Sequence, residues 1–318
     1  MGRGSREIIN INDNVTAWEA AGKIPDEVYR QCADAGLILP LAAGNRIPRE
    51  WANFPIAAGI KAEEWDGFHD FVLWDELFRG APSISSAFIG LTLVRTGGEG
   101  APGLSMILIP RLPGISTRKI EIGADGLSAT TYITFEDVKV PAEYLIGEES
   151  QGFRYTMSNF NHERLWIAFQ AIRGARICLE DSMIWCQKRE AFDKKLIDMP
   201  VVRHKFGHMA RQIESLQAWT EQIVFELDNL SHARGSKLLG GVTALLKVQA
   251  GIVSKYIADE SVKLMGGLGL TKTGQGARIE AFSRGVITLI VPGGSEDVLL
   301  DLGVREAVKL GKKAKANL

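Results

Sequence analysis

From Gly152 to about Ala307 the chain repeats one habit, with apolar residues every three or four positions, as in Leu165, Ile167, Phe169, Ile172, Ile177, Leu179 and Met183. That spacing places them on one stripe of a helix, and a stripe sustained over many turns must be buried against other helices. Further segments of the same kind, Ile213 to Leu227, Val242 to Leu264 and Val298 to Val308, bring the count to about four helices and predict an antiparallel bundle.

The rest of the chain differs in texture. Residues 1 to 90 read mainly as helix. Val28, Tyr29, Cys32 and Leu37 recur at helical spacing around Gly36 and Pro40, and a second pattern runs from about Phe68 to Phe78 before the turn-rich GAPS at Gly80 to Ser83. Between 91 and 145, LTLVRT, LSMILIP and TYITFEDVKVP are short β-rich runs separated by the turns GGEGAPG and LPG. Three or so strands make a thin sheet with unpaired edges. The expected fold class is α+β and mainly α, with an amino-terminal helical domain over 1–90, a truncated central β domain over 91–150 and a carboxy-terminal four-helix bundle over 151–318.

Composition narrows function. With 318 residues, 46% hydrophobic and 24% charged, the chain can bury a large core, and a net charge of -1 gives no electrostatic reason to expect nucleic acid as a partner. Cys32, Cys178 and Cys186 follow no CxxC spacing and read as reduced and structural. No stretch approaches the roughly 20 apolar residues of a membrane span. The start MGRGSREI lacks the apolar segment of a signal peptide, and Arg6 stands where myristoylation expects Ser or Thr. The basic run Lys312, Lys313, Lys315 before Ala316, Asn317 and Leu318 resembles a degenerate peroxisomal address or a basic helical tail. The mitochondrial matrix and the cytoplasm are the other locations considered.

Several phrases occur in one family's order: IPDEVYRQCADAGL, then VKVPAEYLIGEESQGF (138–153), MSNFNHERLWIAFQAIRGA (157–175), KREAFDKKLIDMPVVRHKFGHM (188–209), KLMGGLGLTKTGQGARIEAFSR (263–284) and ITLIVPGGSEDVLLDLGVR (287–305). Together they resemble the flavin-dependent acyl-CoA dehydrogenases over most of the chain. The resemblance implies an oxidoreductase and flavoprotein using FAD, acting on an acyl-CoA thioester in fatty acid beta-oxidation or other lipid metabolism. It also implies a homo-oligomer, dimer or tetramer, with an electron acceptor that the sequence does not identify.

The family's reaction removes the α-proton of the thioester while the β-hydrogen leaves as hydride, so one sheltered carboxylate must act as base; burial brings its pKa towards the working range. The resemblance offers two places for it. At the late one this chain has Pro292, which cannot accept a proton. At the early one stands Glu163, followed by Arg164, and these are the catalytic candidates. A Glu near a helix start is also favoured by the helix dipole alone, and Glu296 is a rival carboxylate whose position suits a polar cofactor contact better. For the cofactor, Gly266, Gly267 and Gly269 allow close backbone approach to a phosphate, although glycines after an apolar helix also serve simply to end it. Lys263 occupies a position commonly held by Gln. Arg189 and Phe192 match the family's Arg-x-x-Phe-Gly, whose arginine reaches a neighbouring subunit's dinucleotide, with Asp193 in place of the glycine; alone, Arg189 would read as a helix-end cation. Ser295 and Glu296 complete the cofactor set, and Gly294 replaces a threonine.

A long segment of full-length relatives, carrying much of the flavin-ring pocket, is expected to be absent where Phe88 to Leu91 runs directly into TLVRTGGEG. Losing it should weaken or abolish flavin binding and expose apolar surface. This leaves a second reading, a non-catalytic remnant that acts through bundle assembly or partner binding. Resemblance to the DNA-alkylation-response branch of the family ranks last, given the net charge.

Overall fold

The computed structural model describes residues 24–78, 92–123 and 130–316, with a few isolated positions before residue 24. The GAPS turn, the junction at Phe88 to Leu91, the first residues and the terminal Asn317 and Leu318 lie outside the described residues.

Three helices precede the strands: α1 (Asp26–Asp34), α2 (Ile38–Ala43) and α3 (Gly67–Phe78). The α1 pattern does not run on to Leu37. Its helix stops at Ala35, Gly36 takes a φ of 74°, and Pro40 sits inside the short α2. Two carboxylates anchor the start of α3, for Asp66 accepts from the His69 N–H at 2.9 Å and Asp228 accepts from the Gly67 N–H at 2.9 Å. Both negative charges stand where orphan amides and the positive dipole end favour them.

The β region is thinner and more divided than one sheet. Strands β1 (Thr92–Arg95), β2 (Leu104–Ile107) and β5 (Leu145–Ile146) form one antiparallel set, with Leu93 opposite Met106 and Met106 opposite Ile146. Strands β3 (Ile115–Lys119) and β4 (Thr131–Phe135) form a separate two-stranded ribbon with Thr117 opposite Ile133. The expected strand through VKVP ends at Phe135 instead, because Asp137 turns the chain with a φ of 50°. Tyr132, Ile133 and Phe135 are exposed on the ribbon, as expected of a sheet lacking cover.

The carboxy-terminal part is built on α4 (Gly152–Lys188), α5 (Pro200–Asp228), α6 (His232–Met265) and α9 (Glu296–Ala316), with short α7 (Ala277–Gly285) and α8 (Ile287–Ile290) between the last two. α4 packs chiefly along α6, α5 covers both, and α9 lies on the other side of α6, where Leu299 meets Ala244 and Val248. Phe169, Ile172, Met209, Ile213, Leu246 and Ile257 have almost no exposure and make the centre of the core. The stripe was legible, but α5 begins thirteen residues before Ile213, at Pro200 in the first helical turn, where its missing N–H costs nothing. Val202, Phe206 and Met209 carry the same buried stripe back from Ile213 to that first turn.

α6 qualifies the expectation about membrane spans. Arg234–Leu270 is long and apolar enough to cross a bilayer by length and composition, but much of it is buried inside the bundle. The amino-terminal helices dock on the bundle through a Phe71–Phe169 ring contact, a Trp74–Trp166 stack at 4.4 Å and the Arg173–Asp75 ion pair. Arg46 donates to the carbonyls of Leu227, Asp228 and Leu230, capping the end of α5.

Candidate active site

Glu163 sits in the third turn of α4, and the helical spacing that buries Leu165 and Phe169 leaves it half-buried. Asn159, one turn earlier, donates Nδ2 to Glu163 Oε1 at 2.6 Å. Burial pushes the Glu163 carboxyl above the ordinary carboxylate range, and His162, Asn159 and Arg164 partly offset it. A half-sheltered carboxyl of raised pKa is the state a general base needs.

Arg164 is 7% exposed and turns away from Glu163 towards the segment after α8. It donates Nε to the Gly293 carbonyl at 2.9 Å and Nη1 to Asn161 Oδ1 at 3.3 Å, and it lies against the Phe160 ring. The same segment is held from α6 by Lys247, a residue that the sequence analysis missed. Its side chain is 1% exposed, and its ammonium donates to the Gly294 carbonyl at 2.8 Å and to the Ile290 carbonyl. Burial and the Arg164 charge push Lys247 down to about 8, against the pull of Glu296. Between them the two cations fix three carbonyls of residues 290–294, the stretch containing Pro292. Gly293 and Gly294 have φ of 71° and 116°, and a Cβ on Gly294 would come within 2.7 Å of Leu299. The backbone therefore passes where no other residue fits comfortably. The single lysine in the apolar run ALLKVQAGIV was the signal for this clamp.

The other candidates fall on three stretches of the chain. Ser295 and Glu296, both exposed, open α9 directly after the clamped segment and so belong with Glu163 and Arg164. Arg189 and Phe192 follow the end of α4, and Lys263, Gly266 and Gly267 stand at the end of α6. Arg189 ends α4 and leads into a two-residue hairpin, β6 (Glu190–Ala191) with β7 (Lys194–Lys195). Phe192 and Asp193 form its tip with φ of 54° and 57°, and Phe192 is 90% exposed. Lys263, in the last turn of α6, donates to Glu260 at 2.7 Å, and Glu260 also pairs with Lys205 from the start of α5. The Lys263 ammonium is raised by Glu260. Gly266 ends α6 with a φ of 61°, and nothing lies within 4 Å of where a Cβ would stand on Gly266 or Gly267. That turn is open to an approaching group, whereas Gly269 and Gly276 are the glycines required by packing: a Cβ on Gly276 would overlap the Leu268 carbonyl. An open glycine turn beside two lysines that share one carboxylate fits a diphosphate by donor chemistry.

Around α4 from Glu163, Ser158, Asn161, His162 and Leu165 line a narrow cavity of about 60 Å³ with Arg46, His232, Ser236 and Thr243. His162 is the link between this cavity and Glu163, and it points at Asp70.

The site thus sets a half-buried carboxylate, Glu163, on a mainly α scaffold, with two buried cations, Arg164 and Lys247, holding the 290–294 segment. Residues 150–308 match the family described as acyl-CoA dehydrogenase, C-terminal domain. Acyl-CoA dehydrogenase apdG of Emericella nidulans is 32% identical over 394 positions, covering 97% of this chain and 90% of the relative. An acyl-CoA dehydrogenase of Alternaria alternata is 28% identical, covering 92% of this chain and 87% of that protein. Butyryl-CoA dehydrogenase of Megasphaera elsdenii shares the fold with a TM-score of 0.76 at 17% identity, covering 97% of this chain and 99% of its own. The chain belongs to the acyl-CoA dehydrogenase family. The alignment with the Emericella protein runs over more positions, 394, than this chain's 318 residues, so the relative carries internal sequence without a counterpart here.

Proposed function

We propose that this chain carries out FAD-dependent α,β-oxidation of an acyl-CoA thioester, with Glu163 taking the α-proton, in fatty-acid or branched-chain acyl catabolism. The observation that carries this reading is the Glu163 carboxyl itself: half-buried, raised in pKa and oriented by Asn159. The Cα–H bond breaks as the proton passes to a Glu163 oxygen. Arg164 and Lys247 keep the neighbouring 290–294 segment from shifting as that charge is neutralised, which preserves orientation at the reacting centre. Arg189, Phe192, Lys263, Gly266, Gly267, Ser295 and Glu296 would hold the dinucleotide. FAD, when bound, supplies the acceptor for the β-hydride. Phe192, at 90% exposure on its hairpin, supports a homo-oligomer in which a neighbouring copy covers it.

Absorbance spectra of the purified chain with added FAD, followed by a panel of acyl-CoAs, test this reading. Bleaching of the flavin bands is expected, and Glu163→Gln should slow it by about 10²–10⁴-fold, the usual contribution of a general base. Bleaching at an unchanged rate in that variant would remove Glu163 from the role. The internal sequence present in the Emericella relative and missing here favours the second reading, assembly or partner binding without catalysis; absence of flavin uptake would select it.

A further inference from the structure

One buried acid outside the proposed chemistry is unexplained. Asp70, on α3, has 0% exposure, and its Oδ1 has no hydrogen-bond partner among the described residues. Its other oxygen, Oδ2, lies 2.8 Å from His162 Nε2. A buried carboxylate that is only half satisfied is costly unless its partner carries a full positive charge. The imidazole in turn has no freedom to leave. The turn after α2 presses on it at Gly44, where a Cβ would stand 2.8 Å from Nε2, and Trp65 Nε1 holds that turn by donating to the Gly44 carbonyl at 2.9 Å. Gly44 has a φ of 73°, so both its conformation and its contact with the ring call for glycine.

The residue fixed in this slot immediately precedes Glu163. We infer that Asp70 and His162 are a positioning pair for the base: Asp70 keeps the imidazole protonated beside Glu163, and the resulting cation sets the pH at which Glu163 becomes a proton-accepting carboxylate. This rests on the reading of Glu163 as base, and it gives the amino-terminal helices a role in the reaction that packing alone does not. The electrostatics run the same way. Burial opposes charge on His162, yet Asp70 raises its pKa above the ordinary 6.5, and His162 pulls Glu163 down against the effect of burial. The other charged groups around the pair are Arg164 on α4, Arg46 and His232 across the cavity, and Asp66 and Asp228, which couple to one another at the start of α3, Asp228 also with Asp70 and Arg46.

The sign follows directly. Removing the cation leaves Glu163 protonated to higher pH and so less able to act as base. His162→Gln and Asp70→Asn are therefore expected to move the Glu163 titration, followed by carbon-13 NMR of labelled glutamate side chains and assigned with Glu163→Gln, upward by roughly one pH unit. The charge-retaining His162→Lys should restore most of it. In the Asp70→Asn chain, the His162 resonance should titrate at lower pH than in the parent. A Glu163 midpoint that stays in place in a folded His162→Gln chain would overturn the inference, and so would one that rises equally in His162→Lys. If Asp70→Asn does not fold, His162→Gln and His162→Lys decide the question. Exchange of the substrate's α-proton with deuterated solvent in the FAD-loaded chain separates the two readings. Exchange that persists in Glu163→Gln, together with an intact NMR coupling, would remove the base assignment and leave the charge coupling standing. Loss of exchange in Glu163→Gln without a shift in His162→Gln would do the reverse.

Discussion

The bundle and the β region of this chain were made under different constraints. In α4, α5 and α6 the apolar residues face one another, and a side chain as large as Phe169 has no exposure. In the β3–β4 ribbon Tyr132, Ile133 and Phe135 are exposed, with the Arg118 guanidinium stacked 4.7 Å from the Tyr132 ring centre. The difference shows which part carries its own stability. A bundle satisfies its backbone within each helix and its apolar surface within the chain, whereas a two-stranded ribbon needs an outside partner for both.

Three measurements test this contrast. The largest effect is expected from the core: Phe169→Ala should cost about 3–5 kcal/mol in a denaturant titration, while Tyr132→Ala stays within about 0.5 kcal/mol. Equal costs would break the comparison. A smaller effect comes from the contact between α3 and the bundle. His162 has a folded pKa above its unfolded value of 6.5, so the stability it contributes is fully present below 6.5 and is lost as pH rises through the folded pKa. Melting curves across that window should show the decline, and His162→Gln should remove it. The smallest effect is at the β6–β7 tip. Asp193→Gly relieves a left-handed residue and should raise stability by up to about 1 kcal/mol; a decrease would mean that the Asp193 carboxylate makes a contact worth more than the strain.

Periodicity made the bundle legible, because an apolar stripe repeats within one element and needs no knowledge of its neighbours. The places where the reading fell short are those that depend on distant residues. Asp70 and His162 are 92 positions apart and Lys247 is 43 from the carbonyl of Ile290, so no local pattern joins them. The β6–β7 hairpin was invisible because its tip is Phe192–Asp193, where turn chemistry favours Asn-Gly or Asp-Gly. Glu163 and Arg164 were legible only through resemblance, since the shelter that gives Glu163 its raised pKa is a property of the packed chain.

The stacked rings of Trp74 and Trp166, 4.4 Å apart and 26° from parallel, join an amino-terminal helix to the first bundle helix. Two indoles held this close absorb as a coupled chromophore, so circular dichroism near their strong ultraviolet band would carry a couplet of opposite lobes. Undocking of α3 would extinguish that couplet while leaving the helical signal of the bundle largely intact. The chain thus contains an optical gauge of whether its two helical parts are joined, readable without any label.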